Sequence, residues 1–320
     1  MRTLRTLSCL AWLALAVGTP ACHLRSVEAP YAANAAPSVA QLLAAANPRI
    51  SALQVSSAKV RIGRAPAGNL MFLAQKPGRF SGQVQIAGRE LVSLAFHEQG
   101  YALRNVAADG LLTGFYAGPP ADCAIRQLIG VPFAASELIA LVLGGAPLIA
   151  GPYEVIEQRW DRRAGHEVLR LRSASAEQEL RFAWVAGAWW VAGSTLWIRS
   201  GSAALTRVWT LRHEELRRVG TTVLPASTWV SRPNGRRDEK VSIRYRSQIP
   251  EPILDDASNP TDSDDDGWED EDTAATDEAA EPDPNASPDD PTPSLPPAKI
   301  PPQFILDGAG LSPRGDLCRR

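Results

Sequence analysis

HEVLRLRS (166–173), EQELRFAWVAGAWWVAGSTLWIRS (177–200), ALTRVWTLRHEEL (204–216) and GTTVLPASTWVSRPNGRRDEKVSIRYRS (220–247) decide the fold. Apolar and polar residues alternate with period two inside each run, while Gly, Ser and Pro-Asn-Gly fall between the runs, so the stretch reads as consecutive antiparallel strands. Leu169 and Leu171 face away from Arg170 and Arg172. Leu180, Phe182 and Trp184 share a face, and Val241, Ile243 and Tyr245 oppose Lys240, Ser242, Arg244 and Arg246. Five of the nine tryptophans (Trp184, Trp189, Trp190, Trp197 and Trp209) fall within the 26 residues 184–209, more aromatic bulk than one hairpin can bury. A large, curved, one-side-apolar sheet is implied.

Working outward, Ser51 to Gly110 holds a second meander in which Val84 and Ile86 alternate with Gln83 and Gln85, and Val92, Leu94 and Phe96 with polar or small residues. Between the two strand sets the period becomes helical. Asp122 is placed to cap a helix carrying Ile125, Leu128 and Ile129, and Ser136 to cap one carrying Leu138, Leu141 and Val142 before Gly144-Gly145. Both are apolar enough to pack in the hollow of a curved sheet. Ser38 reads as the N-cap of a short helix bearing Val39, Leu42 and Leu43, stopped by Asn47-Pro48.

The chain of 320 residues, 45% hydrophobic, is long enough for one large β domain, expected over 38–254. Residues 1–21 have the layout of an export signal: Arg2 and Arg5, then an apolar run too short to span a bilayer, then small residues. Residues 22–37, rich in Ala and Pro, read as an anchor and spacer. Residues 255–297 are dense in Asp, Glu and Pro and lack the apolar surface to offset chain ordering, so they read as a disordered acidic tether. Residues 298–320 recover Phe304, Ile305 and Leu306 and look like a segment returning to the body.

The net charge of −2 conceals a segregation. Residues 255–290 hold 16 of the 35 acidic residues and no basic one, which leaves 19 acidic against 33 basic residues elsewhere. A basic body suits an anionic membrane surface, although Arg and Lys on outward strand faces are commonly no more than solvated; export excludes nucleic acid as a partner. Once the signal is removed and Cys22 acylated, Cys123 and Cys318 remain, either paired as a disulfide or as two thiols. The four histidines lie far apart with no zinc-ligand spacing. Asp262, Asp264, Asp266 and Asp270, with Gly267 at the turn, match D-x-D-x-D-G-x-x-D, an arrangement of oxygens that suits calcium, although Thr273 stands where an EF-hand loop carries Glu. In so acidic a tract composition alone can also produce the pattern; no cofactor is expected, with calcium the single candidate. No serine sits in a G-x-S-x-G elbow and no nucleophile, base and orienting group share a spacing, so the chain does not read as an enzyme.

Thr19-Pro20-Ala21-Cys22 resembles a lipobox, in which Cys22 is acylated and anchors the chain. The order of anchor, helix, strands, two apolar helices and a closing meander with TTVLPASTWVS (221–231) before VSIRYR (241–246) resembles the LolA/LolB-like periplasmic lipoprotein superfamily over about Ser38 to Ile249. That resemblance implies a strongly curved, incompletely closed antiparallel barrel with helices in its concavity. It also implies an apolar cavity for a lipid or acyl chain, with Leu138, Leu141, Val142, Phe182 and Trp184 as its expected lining, and an outer-membrane lipoprotein facing the periplasm, engaged in lipid or lipoprotein transfer. The tight polar turn Ala87-Gly88-Arg89-Glu90 departs from the protruding apolar loop of the receptor branch. The alternative is a structural or interaction module of the cell envelope, reaching other envelope proteins or calcium through its tether. If Cys22 is the anchor, Cys22→Ala releases the protein from the membrane into the soluble periplasmic fraction on cell fractionation; retention at the membrane contradicts the lipobox reading.

Overall fold

In a computed structural model, the described residues are 26–107, 113–120, 122, 125, 133–199, 204–235, 237–252, 302–308, 311 and 313–319. The stretch expected to be an export signal, Cys22, the acidic tract with its four aspartates, and Cys123 lie outside them.

Helix α1 (Val39–Ala46) leads into strands β1 (Ala52–Ile62), β2 (Gly68–Gln75), β3 (Arg79–Ile86), β4 (Arg89–His97), β5 (Gly100–Asn105) and β6 (Gly114–Gly118). Helix α2 (Ala135–Val142) precedes β7 (Glu154–Asp161), β8 (His166–Arg172), β9 (Ala176–Val185), β10 (Ala188–Arg199), β11 (Leu205–Val219), β12 (Thr222–Asn234) and β13 (Arg237–Pro250). All thirteen strands form one sheet in the order β6-β5-β4-β3-β2-β1-β13-β12-β11-β10-β9-β8-β7. Every pair is antiparallel, and β6 and β7 are the two ends of the sheet and do not pair with each other, so the sheet is an incompletely closed barrel. The two meanders join where β1 pairs with β13, with Ala58 opposite Tyr245 and Ile62 opposite Val241. Bulges between Val55 and Ala58 in β1 and between Val191 and Gly193 in β10 add local bend and twist, which curve the sheet around its core.

The alternation read from the sequence shows in the burial of β8, β9 and β13, whereas β12 is buried at every position from Thr222 to Thr228. Leu169, Leu171, Leu180 and Phe182 are fully buried and Val241 and Tyr245 are buried, while Arg244 and Arg246 are exposed. Trp184 is 43% exposed, because it stands beside the β9–β10 turn where the inner face runs out to solvent.

Ser38 caps α1 as expected: its hydroxyl accepts the Gln41 N–H at 3.2 Å, and the Gln41 side chain accepts the Ser38 N–H at 2.9 Å. Helix α2 starts one residue before the expected Ser136 cap. Ala134 is the N-cap and offers no side chain, and the Glu137 carboxylate takes its N–H at 2.8 Å instead. An eight-residue helix is marginal alone. Here Leu138, Ile139, Leu141 and Val142 are buried, each contributing about 2 kcal/mol, so packing rather than capping holds α2 in place. Of the helix expected after Asp122, only Asp122 and the buried Ile125 are described.

The stretch expected to be a spacer is docked from Val27 onward. Val27 N–H donates to the Arg162 carbonyl at 2.8 Å and the Trp160 indole N–H to the Val27 carbonyl at 2.9 Å. Tyr31 packs edge-on to Trp160 and donates its hydroxyl to Glu167, a carboxylate only 1% exposed. The Gln158 amide bridges the Pro37 carbonyl (2.7 Å) and the other Glu167 oxygen (3.0 Å). Burial, then the bond to Glu167, pushes the Tyr31 phenol above its usual range, so it remains a donor at every physiological pH. Ala- and Pro-rich composition reads as a spacer, yet from Val27 onward the stretch packs on β7 and β8, with Tyr31 facing a buried carboxylate.

At the opposite edge the chain's last residues cover β6. Arg314 N–H donates to the Phe115 carbonyl (2.7 Å) and Ala117 N–H to the Gly315 carbonyl (3.3 Å), with Pro313 beside Phe115 in a parallel bridge. The Tyr101 hydroxyl donates to Asp316 and accepts the Leu317 N–H, both at 2.7 Å. Phe304 and Leu317 are buried, whereas Ile305 is exposed. Cys318 is disulfide-bonded; Cys123, its expected partner, lies outside the described residues.

Tyr31→Phe leaves Glu167 one donor short in a buried setting. The substitution is expected to cost about 1–3 kcal/mol in urea unfolding, and a loss within a few tenths shows that the strap is not anchored through this bond.

Candidate functional site

Helix α2 lies across the inner face of β2 and β3. Beneath it is a cavity of about 290 Å3, walled by β1 to β4 on one side and by β12 and β13 on the other. From α2 come Leu138, Leu141 and Val142; from the sheet come Val60, Leu70, Phe72, Phe80, Val84, Leu94, Val230 and Ile243. Thr228 is the one polar side chain in the lining, which contains no charge. The cavity opens beside the β1–β2 turn, where Ile62 is 38% exposed and Ala65 and Pro66 stand at the rim.

Aromatic stacking shapes the floor. Phe72, Phe80 and Phe96 stack in series with centroids 5.6 and 5.2 Å apart. The Phe80 ring lies over Gly82, where a Cβ would fall 2.6 Å from ring carbon Cε1 and 3.1 Å from Phe72 Cβ. Any larger residue there displaces the stack, so glycine is required by close approach rather than by backbone conformation.

The helix over the cavity is tied down by buried polar groups. His213, on the inner face of β11, faces the Gly145 carbonyl through Nε2 and the Thr228 hydroxyl through Nδ1, both at 3.0 Å. A carbonyl only accepts, so Nε2 carries the proton and Nδ1 accepts from Thr228. Thr228 Oγ1 in turn accepts from the Tyr245 hydroxyl at 3.3 Å. Burial pushes the His213 imidazole down to about 4, the Gly145 bond partly offsetting it, and burial pushes the Tyr245 phenol up to about 12. Gly145 sits so close to α1 that a Cβ would lie 2.6 Å from the Ala46 carbonyl, and Ala146 N–H donates to that same oxygen at 3.0 Å. Gln178, fully buried on β9, completes the attachment: it accepts the Ile149 N–H at 2.9 Å and donates to the Pro147 carbonyl and Ser194 hydroxyl at 2.6 and 2.9 Å.

Of the five expected lining residues, the structure brings Leu138, Leu141 and Val142 together on the cavity. Phe182 and Trp184 lie outside it. Both are on β9, three strands beyond β12 in the sheet, where Phe182 belongs to the core and Trp184 meets Trp189 edge-on at 5.0 Å. Face alternation identifies inward residues without saying which part of a long sheet they serve. His213 and Gln178 went unnoticed in the sequence, yet each is a polar residue in an apolar register, after Trp209 and Leu211 and before Leu180 and Phe182. Among the described residues no cluster of three potential metal ligands occurs, and no helix is long and apolar enough to cross a membrane.

No family model and no curated protein matches the sequence. Among solved structures, the chain is similar to a LolA superfamily protein from Nitrosomonas europaea, with a TM-score of 0.41 and 11% identity over 69% of this chain and 96% of that one. It is also similar to a DUF1329 family protein from Desulfovibrio piger, with a TM-score of 0.42 and 8% identity over 68% and 92% of the two chains.

Between pH 6.5 and 4 the unfolded chain protonates His213 while the folded one holds it neutral, so stability is full above pH 6.5 and falls as the pH drops toward 4. The loss is on the order of 3 kcal/mol. His213→Gln is expected to flatten that slope in urea unfolding measured across this range; an unchanged slope assigns it to other groups.

Proposed function

We propose that the protein is a cell-envelope lipoprotein that holds an acyl chain of a lipid or lipoprotein in the cavity under α2. The observation that carries this reading is the lining: about 290 Å3 walled by aliphatic and aromatic side chains, with a single hydroxyl, open at one end. A space of that character gives water too few partners and favours a hydrocarbon. Its size is near the lower bound of about 300 Å3 for small-molecule sites, suited to one chain rather than a whole diacyl lipid. The hydroxyl itself is engaged, since Thr228 donates to His213 and accepts from Tyr245, so the wall offers a ligand little to hydrogen-bond. The resemblance of the element order to LolA/LolB-like proteins implies ligands of the same class. With Cys22 acylated, the domain would work at the periplasmic face of the outer membrane, binding and passing on its ligand rather than transforming it.

Filling the cavity should block the ligand while leaving the fold. Leu141→Trp is expected to abolish uptake of a fluorescent fatty acid and to cost about 1–3 kcal/mol in stability from overpacking. If the unmodified protein takes up no such probe, the carrier reading fails.

A further inference from the structure

The end of the sheet at which the cavity opens carries a distinct surface. Four exposed cations border it, each next to a residue that lines the cavity or two positions from one: Arg61 between Val60 and Ile62, Arg64 beside Ala65, Arg89 near Ile86 and Leu91, and Lys240 beside Val241. Lys240 is joined to the β1–β2 turn directly, its carbonyl accepting the Gly63 N–H at 2.7 Å. None of the four makes an ion pair among the described residues. The carboxylates flanking these turns are already engaged: Glu90 with Arg104, Asp238 with Arg207 and Glu239 with Arg232. A ring of net positive charge therefore surrounds an apolar opening. At its centre the β1–β2 turn, Gly63-Arg64-Ala65-Pro66-Ala67, is exposed throughout and ends in small apolar residues, and Pro66 has no N–H to strip of water.

We propose that this rim docks on a membrane surface bearing anionic phospholipid headgroups, with Ile62 and the Ala65–Ala67 tip entering the interfacial layer. Arg61, Arg64, Arg89 and Lys240 lie against the headgroup phosphates, each raising membrane partitioning about fivefold. The attraction acts over about a Debye length and weakens with salt. The docking surface rests on the carrier reading only for its purpose, which is to set the mouth of the cavity against the bilayer so that an acyl chain passes between them without crossing bulk water.

The test is flotation of the full chain carrying Cys22→Ala, which has no acyl anchor, with vesicles of phosphatidylcholine alone or mixed with phosphatidylglycerol. Binding is expected only to the mixed vesicles, and to fall as salt rises. Combined Arg61→Gln, Arg64→Gln, Arg89→Gln and Lys240→Gln should lower it about 600-fold, and Arg64→Glu alone, a change of two charges in an exposed turn, by about 25-fold. Replacing Arg162, Arg163, Arg218 and Arg246, exposed cations away from the mouth, with Gln should leave most of the binding intact. Three results overturn the proposal: a parent indifferent to phosphatidylglycerol, rim variants that float as well as the parent, or an equal loss in the control variant. Failure to take up a fluorescent fatty acid from solution refutes the carrier reading separately, because that assay contains no membrane.

Discussion

The pairing of β1 with β13 is the constraint on which the molecule depends. Each meander alone is a local product of hairpin turns, but each would expose the edge of a long strand, with a row of unpaired N–H and C=O groups. Joining them edge to edge makes a single sheet of thirteen strands and transfers the unpaired edges to β6 and β7. Those two strands flank the segment that carries α2, so the opening of the barrel and its filling arise from the same stretch of chain. The edges are then managed differently. The last residues lie along β6 through the Phe115 and Ala117 bonds, while the Val27–Pro37 strap reaches the β7–β8 turn and the side chains of β7 and β8.

Curvature obliges the interior to be filled, and this molecule fills it unevenly. Beside α1 and the strap, Tyr31, Trp160, Trp184 and Trp189 meet in edge-on or tilted contact, and an open cleft of about 640 Å3 with a mixed polar and apolar lining runs between the strap, α1 and the β9–β10 turn. Beneath α2, which lies against β2 and β3, the Phe72–Phe80–Phe96 stack and the aliphatic residues of β1, β12 and β13 leave a gap unfilled. Buried hydrogen bonds just after α2 oppose collapse of that gap. His213 and Gln178 hold the chain from Gly145 to Ile149 at fixed height by hydrogen bonds that would be lost on collapse, and an unmade buried hydrogen bond costs as much as the packing would gain. A few polar groups in an apolar register thus maintain an apolar cavity.

The residues named from the sequence separate along physical lines. Ser38 and Gln41 form a capping box from groups three residues apart, and the strand faces follow from a period of two, so both were legible. Tyr31 was hidden among alanines and prolines, because nothing local announces that its hydroxyl will meet Glu167, 136 residues away. Phe182 and Leu138 looked equivalent as inward apolar residues. Only the strand order separates them, placing β9 beyond β10 and β11 from the wall of the cavity.

By itself the sequence determined the antiparallel strands, their inner and outer faces, the helical interruption between two strand sets, and the segregation of charge, all of which depend on neighbours within a few residues. The tertiary structure alone decided that β1 meets β13, that the strap docks, that a cavity is left between α2 and the sheet, and that four unremarkable cations share one rim with an apolar mouth. Those outcomes depend on residues tens to hundreds of positions apart. Their contacts compete against chain entropy and many alternative registers, and no local pattern encodes which of them wins.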